Sequence, residues 1–455
     1  MKQHNVDRRR FLTTSLGSAA VGALAGAARA EPAAEHNAAV CSSWRDNQTI
    51  VRPRQIALDI LKPTAAELEH GLELHAESVV FDAYGFAPRA AVDGDAIRAA
   101  VETGASASEV DDLREEMSMT RWATDPAERE EFLQAFEAAG VTCVFQNAGQ
   151  ECQDPLRLLK RLARFTYATD LMAESVSKAA TPADVVKAKE QGRRCLYFTG
   201  NGVPLRQHWS TVEDELSVVR IFFQLGIRMM HLTYQRRNMI GDGCGESSDA
   251  GLSDFGRAAV RELNRVGVTV DVAHSGWKTG LEAARLSERP MVDSHTTCCA
   301  LYEHIRGKPD EVIRAIADTG GYVGICAIPA YLGGTCDIAA LLDHVDHVVR
   351  RFGADHVAIG SDVAYTSRNA AAENKKIPRQ PGRRDAFRSL WPEGVFTLPE
   401  TANPNARASL AWTNWPLYTV GLVQRGYSDE DIQKILGGNV LRVASAQRIE
   451  AVTHD

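Results

Sequence analysis

The feature that most constrains the fold is a repeated order of short apolar segments and longer helical patterns through the centre of the chain. Three of these segments are rich in β-branched residues and end at a polar side chain, at His274, His295 and Asp362. Helical patterns separate them, and the first has Ser253 as a candidate N-cap and Gly267 as a candidate C-cap. Strands that alternate with helices in this way predict a parallel sheet.

The number of candidate strands predicts that the sheet closes on itself. Segments of strand composition cover residues 78–83, 141–146, 195–199, 228–233, 268–273, 291–294, 322–327 and 356–361. About eight strand–helix units make a TIM-type (β/α)8 barrel, an α/β fold. We predict one such barrel over residues 76–450, with an N-terminal extension over residues 31–75. Because all strands of this barrel end at one mouth, His274, His295 and Asp362 are expected to converge there, although 21 and 67 positions separate them along the chain.

Two long loops are predicted at the same face of the barrel. Residues 87–125 follow the first strand, and residues 365–411, rich in Pro, Arg and Lys, follow the last. Long loops at this face commonly shape substrate access. The later loop is predicted either to close over the site as a lid or to be an ordinary solvated loop.

The first thirty residues have the pattern of a targeting segment. Paired arginines and an apolar follow-on lie in Asp7–Leu12, a stretch of small apolar residues covers 16–27, and Ala28-Arg29-Ala30 fits a cleavage site. We predict a twin-arginine signal peptide over residues 1–30 and a periplasmic or secreted mature protein. No other run approaches the ~18 apolar residues that a membrane helix needs, so no stable span is expected after signal removal.

Charge and cysteine usage restrict the classes of partner and metal site. The formal net charge is −8 and the sequence has no basic stripe, which argues against a nucleic-acid partner. The nine cysteines include no Cys-x-x-Cys pair, which argues against a thiolate zinc knuckle. Disulfides remain open in an oxidising compartment, but the odd number leaves at least one cysteine unpaired.

Several motifs, taken in order, resemble the membrane (renal) dipeptidase family of zinc peptidases. They are the block Leu232–Gly256, Val270-Asp-Val-Ala-His274, Asp293-Ser-His295, His304-Ile-Arg306, Ile359-Gly-Ser-Asp362 and Leu436-Gly-Gly-Asn439. The similarity covers roughly residues 76–447. It implies the barrel fold and the hydrolysis of a dipeptide or small amide that carries a free carboxylate.

The resemblance also implies a site with two zinc ions that share a carboxylate at the barrel mouth. On the matching positions, His274 and His295 would bind one ion, and Asp362 would act as a ligand of the other or as the catalytic base. Arg306 matches the arginine that binds the substrate carboxylate. Tyr234 replaces an additional active-site histidine of the family and is expected to contact the substrate.

Three family ligand positions are substituted in this chain. Tyr84 and Phe86 take the two positions of the first strand's His-x-Asp motif, and Gly200 matches the bridging glutamate. Neither Phe nor Gly has a side chain that can bind an ion, whereas Tyr84 is a candidate substrate contact. We therefore predict a reduced site with one zinc ion, held by the two histidines and the late aspartate. The alternative is a homologue without peptidase activity, either a binding protein or an enzyme of altered chemistry in a secreted pathway; a homodimer is open in both cases.

Overall fold

The computed structural model describes residues 43–149, 154–208, 210–378 and 389–447. The predicted signal peptide lies outside these ranges. In the part of the chain that the structure describes, no helix is both long enough and apolar enough to cross a membrane. The seven cysteines within the described ranges are all unpaired.

The sheet consists of parallel strands that follow one another around a barrel. In chain order they are β1 (Phe81–Gly85), β2 (Cys143–Asn147), β3 (Val176–Ala179), β4 (Arg194–Gly200), β5 (Ile227–His231), β6 (Thr269–Asp271), β7 (Val292–Cys298), β8 (Gly307–Lys308), β9 (Tyr322–Ile325) and β10 (Val357–Ile359). The barrel path is β1-β2-β4-β5-β6-β7-β9-β10, whereas β3 pairs only with β4 and β8 only with β7. The sequence prediction missed these two side strands, which have only four and two residues.

Contacts between the first and the last strand bring the ends of the sheet together. The Asp362 amide donates to the Tyr84 carbonyl at 3.0 Å. The Asp82 carboxylate accepts from the Ser361 amide at 2.8 Å and from the Ser361 hydroxyl at 2.5 Å. These bonds confirm the predicted TIM-type barrel, and they fix the backbone on both sides of Asp362.

Helices follow most of the strands and cover the barrel. They are α1 (Gln48–Leu61), α2 (Ala65–Glu77), α3 (Gly94–Glu102), α4 (Ala107–Thr124), α5 (Pro126–Ala139), α6 (Pro155–Leu171), α7 (Pro182–Glu190), α8 (Val212–Gln224), α9 (Asp254–Val266), α10 (Trp277–Leu286), α11 (Asp310–Asp318), α12 (Pro329–Leu332), α13 (Ile338–Phe352), α14 (Ala370–Lys375), α15 (Ala406–Ser409), α16 (Trp415–Gln424), α17 (Asp429–Gln433) and α18 (Asn439–Ala446). Helix α9 has the predicted ends, because the Ser253 hydroxyl accepts from the Gly256 amide at 2.9 Å and Gly267 closes the helix at φ 90°.

The segment before the first strand forms two helices in its described part. Helix α2 begins with a capping box in which Thr64 and Glu67 bond each other's backbone amides. Near its end, the ring nitrogens of His75 contact the Thr419 hydroxyl at 2.8 Å and the Ala139 carbonyl at 2.9 Å. These contacts tie the segment to helices from both halves of the barrel.

Aromatic side chains fill the barrel below its mouth. The ring centroids of Phe81, Phe145 and Tyr197 lie 5.0 to 5.9 Å apart in all three pairings. The barrel interior is therefore a packed core. This core leaves the strand C-termini as the place for a ligand.

Candidate active site

The two predicted histidine ligands meet at the barrel mouth. His274 follows β6, His295 lies within β7, and their Nε2 atoms are 2.8 Å apart. The second ring nitrogen of each has a side-chain partner, Gln235 at 2.5 Å from His274 Nδ1 and the Ser294 hydroxyl at 2.9 Å from His295 Nδ1. Both rings are buried and held in fixed orientations.

Both histidines are kept neutral by their surroundings. Burial, together with the positive charge of Arg306, lowers the pKa of His274 and of His295 well below the ordinary value. Neutral imidazole is the protonation state that binds a metal ion. The environment therefore prepares both rings as ligands.

A buried ion pair beside these rings was missed by the sequence prediction. His231 ends β5 and Asp271 ends β6, with His231 Nε2 2.6 Å from Asp271 Oδ2. Burial raises the pKa of Asp271, but the charge of His231 and hydrogen bonds from Ser294 outweigh it and hold the pKa below the ordinary value. Both residues stand at strand ends, so the rule that singled out His295 would also have found them.

The same pair forms a second cluster of ligand-type atoms. One ligand atom each from His231, Asp271 and His295 lie within 4.8 Å of one another, and all three residues are buried. We call His231, Asp271 and His295 the inner cluster. His295 belongs to this cluster and also contacts His274.

Aromatic rings occupy the positions where the family's first strand would deliver metal ligands. The Tyr84 ring stacks on His295, with centroids 3.9 Å apart and an interplanar angle of 10°. Its hydroxyl accepts from Asn147 Nδ2 at 2.7 Å. Phe86 packs edge-on against Tyr84 at 6.0 Å. Tyr84 therefore supports the histidine pair by stacking.

The side chain that reaches the site from the end of β4 is that of Asn201, the residue after Gly200. A Cβ atom at Gly200 would lie 3.5 Å from Met230 Cγ, in the apolar layer outside the barrel, because side chains alternate along a strand. Asn201 instead contacts His231 Nδ1 through its Oδ1 atom. The structure thus places a neutral amide at this strand end.

Arg306 lies behind the histidines. It is fully buried and donates through Nη2 to the His295 carbonyl at 2.6 Å. Its Nε and Nη1 atoms are buried without a hydrogen-bond partner. Lys308 is buried nearby, and its ammonium group lies 3.5 Å from the Asp293 carboxylate. Two positive charges therefore stand near one carboxylate beneath the site.

A cavity of about 420 Å³ opens beside His274. Its wall includes five residues singled out above and two from the described part of the loop 365–411, namely Tyr84, Asn147, Asn201, Tyr234, Asp362, Trp391 and Phe396. His274 also lines it, and the Tyr234 ring lies 4.2 Å from the His274 ring. The structure thus brings Tyr84, Tyr234, His274 and Asp362 to one cavity, whereas His295 and Arg306 do not line it.

The order of these groups around the barrel matches a known family. A profile of the membrane dipeptidases, peptidase family M19, matches residues 74–374. This chain belongs to the membrane dipeptidase family. The resemblance inferred from the motifs is therefore confirmed.

Individual relatives agree with the family assignment. Dipeptidase tcpJ of Claviceps purpurea is 28% identical over 60% of this chain and 56% of its own length. Dipeptidase verJ of Clonostachys rogersoniana is 29% identical over 51% of each protein. The chain thus spans about half the length of the curated relatives it matches.

Solved structures share the fold of this membrane dipeptidase homologue. An amidohydrolase from Pseudomonas aeruginosa has a TM-score of 0.60 at 24% identity, over 83% of this chain and 98% of its own. The probable dipeptidase PvdM from the same species has a TM-score of 0.58 at 19% identity, over 84% and 98%. A metallopeptidase from Rhodobacter sphaeroides, bound to a phosphinate mimic of L-Ala-D-Ala, has a TM-score of 0.56 at 17% identity, over 82% and 100%.

The barrel mouth contains groups that can hold a metal ion. Tyr84, Phe86 and Asn201 supply no carboxylate or imidazole at the positions considered above, whereas His231, Asp271 and His295 form a buried group of ligand-type atoms. The neutral pair His274 and His295 has the donor type and the proximity for one ion.

Proposed function

We propose that this protein is a metal-dependent hydrolase of dipeptides or small amides with a free carboxylate, and that it uses one zinc ion. The observation that carries the proposal is that His274, on the cavity wall, places its Nε2 atom 2.8 Å from His295 Nε2. Zinc sites of catalytic type combine three protein ligands with one open position. Asp362, on the same cavity wall, is the proposed third ligand or the base.

The inner cluster is a weaker candidate for the catalytic ion. None of its three members, His231, Asp271 and His295, lines the cavity, whereas His274 of the proposed site does. The 2.6 Å contact of His231 with Asp271 also pairs the two groups with each other. We assign them a supporting role, in which they fill the barrel behind His295.

The proposed reaction adds water across an amide bond. Bound by the histidine pair, a zinc ion would polarise the substrate carbonyl and lower the pKa of water. In the role of base, the Asp362 carboxylate takes a proton from the attacking water as the carbon–oxygen bond forms. The same proton passes to the leaving amine as the carbon–nitrogen bond breaks. Asn147 and Tyr234 line the cavity and offer hydrogen-bonding groups that orient the substrate.

Arg306 is proposed to favour a substrate carboxylate through its charge. The guanidinium group has two buried nitrogens without partners, Nε and Nη1. Through Nη2 it also fixes the backbone of His295. Arg306→Lys keeps the charge and loses the planar fork, whereas Arg306→Met loses both. If Arg306 attracts the substrate carboxylate, Arg306→Met should raise KM for free dipeptides and have less effect on C-terminally amidated dipeptides. If Arg306 only positions His295, the variant should lower kcat equally for free and amidated dipeptides.

The direct test of the proposed function is hydrolysis of a dipeptide panel by the zinc-loaded protein. L,L- and L,D-dipeptides are compared with C-terminally amidated forms, with product amines measured over time. We expect turnover that requires the free carboxylate and disappears in His274→Ala. Absence of turnover across the panel in a zinc-loaded, folded protein would contradict the proposal.

A second candidate function is that of a family member without peptidase activity. The observation that favours it is the Tyr84 ring stacked on His295 at a family ligand position. This candidate predicts that the folded protein binds small carboxylates without zinc and without turnover. Equilibrium binding in the presence of a chelator separates the two functions.

We further propose that the protein is exported by the twin-arginine route. The support is the pattern of residues 1–30, with paired arginines followed by small apolar residues. Replacing Arg8, Arg9 and Arg10 with lysine should retain the unprocessed protein in the cytoplasm. Periplasmic recovery of that variant would contradict this route.

A further inference from the structure

A second cavity, of about 440 Å³, lies beside the first. Phe86, Arg89 and Arg161 line both cavities, so the two share a common wall. The excursion between β1 and β2 and helix α6 form much of the second one. A ligand in the first cavity thus has a neighbouring space next to it.

Arginine side chains dominate the charge of this second cavity. Four arginines line the cavity, namely Arg89, Arg114, Arg157 and Arg161. Two carboxylates line it as well, those of Asp111 and Glu115. The formal balance is positive by two charges. A partly enclosed space of this sign attracts an anion more strongly than open surface does.

One carboxylate is shared among three guanidinium groups. Glu115 Oε1 accepts from Arg157 Nη2 at 2.8 Å and from Arg161 Nη1, and its Oε2 accepts from Arg164 Nη1 at 2.7 Å. Arg164 also pairs with Asp112 at 3.0 Å and with Glu116 at 3.5 Å, whereas Arg157 and Arg161, on the cavity wall, share the single charge of Glu115. The arginines on this wall therefore keep unused capacity for a second acidic group.

Individual donors in the cavity wall also lack strong partners. Arg157 Nε is buried without a hydrogen-bond partner. Arg114 Nη1 donates to the neutral side-chain oxygen of Asn374 at 3.4 Å. Guanidinium groups bind carboxylates through paired hydrogen bonds. Both residues can therefore turn donors toward a ligand.

We propose that the second cavity binds an additional carboxylate of the substrate, so that the preferred substrates are acidic dipeptides or amides. This inference rests on the proposed function, which places the scissile amide in the first cavity. Arg89 and Arg161 line both cavities, so the additional carboxylate would lie directly beside the part of the substrate that the first cavity holds. A carboxylate is the expected ligand because a carboxylate, that of Glu115, already engages these arginines.

The kinetic test compares Ala-Glu with Ala-Gln and Glu-Ala with Gln-Ala, which differ only in charge. For at least one pair we expect kcat/KM to be about tenfold higher for the acid, and the ratio to fall toward one in Arg114→Gln and Arg157→Gln. Glu115→Gln should raise the ratio, since it removes a competing carboxylate. Arg261→Gln is the matched control, because Arg261 is exposed on α9 and lines neither cavity.

A binding test on the full chain does not depend on turnover. Calorimetric titration with glutarate should give a dissociation constant several-fold weaker in Arg157→Gln than in the wild type and in Arg261→Gln. Equal affinity in all three folded proteins, or tighter binding of inorganic phosphate than of glutarate, overturns the proposal. If no dipeptide is hydrolysed but glutarate binding depends on Arg157, the proposed function fails and the acidic-ligand site stands.

Discussion

His274 Nε2 and His295 Nε2 lie 2.8 Å apart, with the Gln235 amide behind one ring and the Ser294 hydroxyl behind the other. Each ring can use Nε2 for a metal ion only if its proton is on Nδ1. For His274 this requires the Gln235 amide to turn, because in the structure Gln235 Nε2 faces Nδ1 and Gln235 Oε1 accepts from the Cys244 thiol at 2.8 Å. The hydrogen-bond partner of Nδ1 thus decides whether Nε2 of each ring is free to bind a metal ion.

The first prediction concerns Gln235. Gln235→Glu places a permanent acceptor at His274 Nδ1, 2.5 Å away in the present contact, and should tighten zinc binding. Gln235→Leu removes the amide, and with it the oxygen that could accept from Nδ1, and should weaken zinc binding by about tenfold or more. Competition with a zinc indicator dye measures both. Equal affinity of the two variants would show that Gln235 does not orient the ligand.

The second prediction concerns the buried pair of His231 and Asp271. His231→Gln leaves the Asp271 carboxylate without its ionic partner, which should lower the free energy of unfolding by about 3–5 kcal/mol. In the double variant with Asp271→Asn the buried charge is gone, so part of that stability should return. Urea denaturation of the two single variants and the double variant measures the coupling. Additive losses would argue against a direct interaction.

The third prediction is a pH dependence of stability that originates at His344. Its Nδ1 accepts from the Cys298 amide at 3.0 Å and its Nε2 donates to the Leu332 carbonyl at 2.9 Å, so the neutral ring is fully bonded. Burial lowers the pKa of His344 from 6.5 to about 4. The stability that this residue contributes is present above pH 6.5 and is lost as the pH falls toward 4, by about 3 kcal/mol.

Urea denaturation at pH 7.5 and pH 4.5 measures this effect. The loss between the two pH values should be smaller in His344→Gln than in the wild type. His70→Gln is the matched control, because His70 is exposed on α2 and pairs only with Asp429 at the surface. An equal loss in His344→Gln and wild type would exclude His344 as the source.

Much of the barrel could be predicted from the sequence because its strands are buried on both faces and read as apolar runs. The two ends of α9, at Ser253 and Gly267, could also be predicted, because a capping side chain and a terminal glycine act within one turn of the helix and leave a local signal in the sequence. The side strands β3 and β8 were not visible. They depend on pairing with a neighbour and carry little pattern of their own.

The candidate site was only partly predictable. Convergence of His274 and His295 followed from their places at strand ends. The role of Asn201 did not, because a shift of one residue reverses the face of a strand and sequence matching cannot fix that register. The arginine-rich second cavity joins α4 and α6, and no local pattern records that contact.

The most direct test of the account is the metal content of the purified protein after exposure to zinc and removal of the excess. We predict about one equivalent of zinc in the wild-type protein. The ion should be lost in His274→Ala and in His295→Ala. It should be retained in His70→Gln and in the His231→Gln/Asp271→Asn double variant. A folded wild-type protein without zinc would contradict the account. Two equivalents of zinc would also contradict it. So would one equivalent that is retained in His274→Ala and lost in the double variant, because that ion would then be bound by the inner cluster.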